Sequence, residues 1–73
     1  MESEKKITNN LVSGDKVIVN LNGIKTAEGV IVKPEEVNFS IREGNIAVQI
    51  IKTFHPIAKK GIWQFSKCDV ERI

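Results

Sequence analysis

What most constrains this chain is its punctuation: short runs with an apolar residue at every second position, each closed by Gly, Asn, Asp or Pro. A period of two is the signature of strands with one face turned inward. Helical spacing occurs nowhere in the 73 residues. Residues 14–33 set the pattern. Gly14-Asp15 makes an entry turn, because Gly tolerates positive φ and Asp can hydrogen-bond its own backbone two residues on. Lys16–Leu21 then reads as the first strand, with Val17, Val19 and Leu21 on one face and Lys16, Ile18 and Asn20 on the other. Ile18 breaks the alternation and leaves an apolar outer position for a tail or partner to cover. Residues 22–28 read as a first long loop and 29–33 as the second strand, which Pro34 ends because it lacks a ladder donor.

Glu35-Glu36 opens an acidic turn. Val37, Phe39 and Ile41 then alternate with Asn38, Ser40 and Arg42, which predicts a strand wet on one face. Glu43-Gly44-Asn45 makes a tight turn into a return strand over 46–52, where Ile46, Val48 and Ile50 oppose Ala47, Gln49 and Ile51. Residues 53–61 read as a loop and 62–65 as a short strand holding Trp63. Residues 66–69 read as a tight or 3₁₀ turn, and 70–73 as the closing strand. The expected fold is all-β, a single small barrel of five or six short antiparallel strands over residues 11–73. A flexible polar tail is expected at 1–10.

A chain this short has room for one domain and buries only about 60 % of its unfolded surface. Its balance of 41 % hydrophobic and 27 % charged residues is that of a folded globular domain. The single Cys excludes an intrachain disulfide, and with one His it excludes a four-ligand Cys/His zinc site. Lone-cysteine usage fits the reducing cytoplasm, the expected location. Met1-Glu2-Ser3-Glu4-Lys5-Lys6 has no apolar leader, and no run nears the roughly 20 apolar residues of a membrane span, so no membrane partner is expected. The net charge of +2 is too small to indicate nucleic acid by itself, and its distribution says more.

Residues 52–67 carry Lys52, Lys59, Lys60 and Lys67, no Asp or Glu, and the rings of Phe54, His55, Trp63 and Phe65. Residues 28–43 instead set Glu28, Glu35, Glu36 and Glu43 against Lys33 and Arg42. Lysines neutralise phosphates and rings stack on bases. The expected site for nucleic acid or another partner is therefore Lys52, Phe54, His55, Lys59, Lys60, Trp63 and Lys67. The competing reading makes Trp63 and Phe65, which share strand parity, core residues and leaves the lysines as a solvated surface. His55 and Cys68-Asp69 supply the residue types of a Cys/His nucleophile pair, but no third group orients them and no spacing signature joins them. No catalytic residue, metal or cofactor is assigned. The five glycines are isolated, which excludes a phosphate-binding glycine loop.

Gly-Asp-x-Val-x-Val at 14–19, followed after a loop by Gly-Val-Ile-Val at 29–32, resembles the opening of small SH3-like β-barrels, the KOW and Tudor-like families among them. A closing strand after a one-turn helix is similar to the way such barrels end. The resemblance spans roughly residues 13–73. It implies a module that binds RNA, DNA or protein with loops at one end and with sheet edges. The chain has no Tyr, so it lacks the rings with which SH3 domains hold proline-rich peptides, and few rings remain for a methyl-lysine cage. Val70-Glu71-Arg72-Ile73 is also similar to the closing Leu-Glu-Arg-Ile of plasmid-type (type II) dihydrofolate reductase, a small barrel of similar length. That family's active-site Val-Gln-Ile-Tyr falls on Ile62-Trp63-Gln64-Phe65, where Gln64 stands one place late and so on the opposite sheet face. Val48-Gln49-Ile50-Ile51 matches three of its letters on the preceding strand, and the Tyr is missing from both. The expected function is a non-enzymatic module binding nucleic acid or a nucleoprotein complex. The alternative is a protein-interaction module, an accessory subunit or a small inhibitor from a mobile element, using Ile18 or the 37–50 hairpin. A type II dihydrofolate reductase-like enzyme is the third reading.

Overall fold

Asn22 and Gly23 decide how the chain begins to fold. In the structure, a computed structural model that describes residues 11–73, both take positive φ, 54° and 78°. Positive φ at both central positions is the hairpin turn whose twist matches that of the flanking strands. It joins β1 (Lys16–Leu21) directly to β2 (Ile24–Ile31). The long loop expected over 22–28 is therefore replaced by a two-residue turn, and β2 begins five residues before the expected position 29. Polar Lys25, Thr26 and Glu28 hid this strand. Thr26 is the extra residue of a bulge, since Val19 pairs with Ala27 and Asn20 with Lys25. Although buried, Thr26 satisfies its own hydroxyl by donating to the Ile24 carbonyl at 2.9 Å. The tail expected at 1–10 lies outside the described residues.

β3 (Asn45–Thr53), β4 (Gly61–Ser66) and β5 (Val70–Arg72) complete one antiparallel sheet in the order β4-β3-β2-β1-β5. Short 3₁₀ turns at Pro34–Glu36 and Lys67–Asp69 follow β2 and precede β5. The domain is thus all-β, with five antiparallel strands in a single sheet. The strand expected over 37–42 does not form. β3, its intended partner, is bonded to β2 along one edge and to β4 along the other, so no ladder edge remains for it. Val37, Phe39 and Ile41 lie instead in an irregular segment between the first 3₁₀ turn and β3. The Glu43-Gly44-Asn45 turn forms as expected, with the Asn45 N–H donating to the Arg42 carbonyl and Gly44 at φ 85°.

The inner face of the sheet buries Val17, Val19, Ala27, Ile31, Val48, Ile50 and Val70, with Leu11, Leu21, Ile46, Ala58 and Phe65 packed around them. This core is made of small aliphatic side chains, most of them β-branched. Gly29 has no room for even a methyl group. It sits opposite Ile50 at a second bulge, and a Cβ there would meet the Gln49 carbonyl oxygen and stand 2.8 Å from Val48 Cγ1. Glycine is required there for space. At Gly23 the neighbourhood is open and only φ is at issue. Asp15 ties the two ends of the described chain. Its Oδ2 accepts from the Val12 N–H at 3.0 Å and from Arg72 Nε at 3.1 Å, so it bonds backward along the chain, not two residues on.

These two glycines give a direct check. Gly29→Ala should lose about 2 kcal/mol or more by overpacking, and Gly23→Ala about 1 kcal/mol by left-handed strain alone. Thermal melts by circular dichroism should therefore rank the parent above Gly23→Ala and Gly23→Ala above Gly29→Ala.

Candidate functional site

β3 and β4 carry the residues of interest to one end of the sheet, beside the Asn22-Gly23 turn. Past the end of β3 the pairing continues by one more bond, from the Phe54 N–H to the Thr26 carbonyl at 2.8 Å. Phe54 is thereby fixed next to β2 with its ring partly exposed. The Lys25 ammonium stands 4.6 Å from the ring centroid and that of Lys52 5.3 Å. Each contact contributes roughly 0.5–1 kcal/mol at such an exposed position. Phe54 thus gathers two cations that repel each other. Glu28 faces Lys52 across the ladder from the outer surface.

Residues 54–60 then cross the mouth of the inner face. The Ala58 N–H bonds back to the His55 carbonyl, and the Ile57 N–H donates to His55 Nδ1 at 3.3 Å, so His55 organises the turn. Trp63 stands on β4 opposite buried Val48, hence on the inner face, yet it remains 47 % exposed. Its Nε1 donates to the Lys59 carbonyl at 3.0 Å, which pins the loop against the ring. Below this contact is an apolar groove of about 350 Å³ walled by Leu21, Ile57, Ala58, Trp63 and Phe65, with Lys59 also on its wall. Lys60 follows, exposed, on the same loop.

Of the expected site residues, Lys52, Phe54, His55, Lys59, Lys60 and Trp63 come together at this end. Lys67 does not. It follows the far end of β4, its N–H on the Gly44 carbonyl, about 17 Å of strand from Gly61. Trp63 and Phe65 share the inner face as expected. Phe65 packs on the core, whereas Trp63 lies at the open mouth of an edge strand and is a surface residue. Lys25 joins Lys52 at the Phe54 ring and is hidden in the sequence because its polar strand resembles a loop. The Asn-Gly pair was the available signal. Lys25 and Lys52 flank Phe54 toward the outer face, where Glu28 opposes Lys52, whereas Lys59 and Lys60 sit on the loop beside Trp63 on the inner face.

Gln64 faces the other way. Its Oε1 accepts from the Arg42 N–H at 2.9 Å and from Asn45 Nδ2 at 3.0 Å, and its Nε2 donates to the Ser40 carbonyl at 3.0 Å. One side chain therefore holds the irregular segment across the sheet. Cys68 lies exposed on the 3₁₀ turn before β5. Among the described residues no three His, Cys, Asp or Glu side chains group as a metal set. No helix among them is long and apolar enough to cross a membrane. Compared with known proteins, the chain matches no family model, no curated protein and no solved structure.

Replacing Gln64 by Leu should cost about 1 kcal/mol net, because its partners can turn to water. The Arg42 amide should then exchange with solvent markedly faster, while Trp63 emission stays as in the parent. Hydrogen-exchange NMR beside a fluorescence spectrum checks both.

Proposed function

We propose that this domain is an SH3-like β-barrel serving as a non-enzymatic binding module. In this reading, nucleic acid or a nucleoprotein complex binds the end formed by Lys25, Lys52, Lys59, Lys60 and Trp63. The one-turn 3₁₀ helix leading into the short closing strand β5 supports the SH3-like reading. The functional reading is carried by one observation: Lys59 and Lys60 stand on the loop pinned to a half-exposed Trp63 over an apolar groove, within a run, residues 51–67, that holds no Asp or Glu. Lysines in that arrangement neutralise successive phosphates, and counterion release supplies most of the affinity. Gln64 spends its amide on Ser40, Arg42 and Asn45, which favours a binding module over a reductase-like enzyme.

A second reading rests on the outer face. Ile18 of β1, which pairs with Glu28 and Glu71, lies there half-buried, and exposed Ile51 and Ile73 line a shallow groove with Lys16, Glu28 and Lys52. A protein partner would take this surface through apolar contact, with little dependence on salt.

Affinity for mixed-sequence oligonucleotides, measured across a salt series, separates the two. The nucleic-acid reading predicts a log–log slope of about −2 to −3, from three or four phosphates neutralised. The double variant Lys59→Glu/Lys60→Glu should lose most of the binding, and Lys67→Glu should retain it. Undiminished binding by the double variant would overturn the reading.

A further inference from the structure

We infer that the ligand of this end is single-stranded, with one base of the strand seated in the groove against the Trp63 ring. The inference rests on the nucleic-acid reading above and goes beyond it in naming the strand state and the seat. Three features of the site lead there. The Trp63 ring lines a concavity together with Ile57 and Phe65, a recess that suits a single unstacked base. A duplex keeps its bases stacked and is read by an element that projects into a groove, whereas this end offers a recess. Second, the indole N–H is committed to the Lys59 carbonyl at 3.0 Å, so the ring offers its π face and no donor. Base-on-aromatic stacking needs nothing more. Third, the other exposed aromatic side chain of this end, Phe54, already holds the Lys25 and Lys52 ammonium groups, which favours Trp63 as the stacking surface. Lys59 lines the groove and Lys60 follows it on the same loop, where phosphates flanking a seated base would run, and residues 51–67 hold no Asp or Glu to repel them.

The seat can be watched directly, because the chain has one Trp and no Tyr and its emission reports Trp63 alone. At low salt, a short oligothymidylate should quench Trp63 emission saturably, and a duplex of the same length should not. By anisotropy of a labelled oligothymidylate, Trp63→Leu should bind roughly ten- to a hundredfold more weakly than the parent. Its salt dependence should be unchanged, because the phosphate contacts remain. Should Trp63→Leu fail to fold, the contrast between single strand and duplex in the parent still decides. Equal quenching by both ligands, or parental affinity in a folded Trp63→Leu, would overturn the single-strand seat while leaving the cationic face in place. Absence of binding by either ligand at low salt would remove the nucleic-acid reading itself.

Discussion

Strand β3 is hydrogen-bonded along both edges, and the rest of the molecule is arranged around that fact. β2 occupies one side and β4 the other. Gly29 makes the first pairing possible by letting the two backbones approach where any side chain would strike the Gln49 carbonyl. With both sides filled, the segment before β3 cannot join its ladder. It runs irregularly and is held by two hydrogen bonds of Gln64, to Ser40 and Arg42, while the third anchors Gln64 to Asn45 of β3. β4 in turn becomes an edge, so a tryptophan with inward parity comes to rest at an open mouth instead of in the core.

The same arrangement concentrates charge. Where β3 runs past its partner it carries Lys52 and Phe54 to the hairpin turn that bears Lys25, and the following loop brings Lys59 and Lys60 over Trp63. Glu35 and Glu36 fall on the first 3₁₀ turn, Glu43 at the entry to β3 and Asp15 in an ion pair with Arg72, while Glu28 opposes Lys52 on the outer face. A net charge of only +2 therefore conceals an uneven distribution, with no Asp or Glu in residues 51–67. Local charge at that end, not the sum, sets how a polyanion would be drawn to it.

Most of the strands were legible because alternation is a local property. β1, β3, β4, the 3₁₀ turn before β5 and the closing strand all follow from residues within a few positions of one another. What escaped depended on partners distant in sequence. Val37, Phe39 and Ile41 alternate as a strand does, but the hairpin partner that alternation implies, β3, is already bonded along both edges. Lys25 and Thr26 are polar enough to suggest a loop, yet a bulge absorbs Thr26 and its hydroxyl is satisfied by the Ile24 carbonyl. The candidate site was half legible. A carboxylate-free run with interleaved rings marked Lys52, Lys59, Lys60 and Trp63, and proximity in sequence added Lys67, which β4 carries to the other end.

The central claim, that the end bearing Trp63 and its lysines takes nucleic acid, is tested most directly by an amide-shift NMR titration with short mixed RNA and duplex DNA at low and high salt. The account predicts shifts confined to Ile24–Thr26, Lys52–Phe54 and the loop through Trp63, largely abolished at high salt. Shifts centred on Ile18, Ile51 and Ile73, or no shifts with either nucleic acid at low salt, would contradict it.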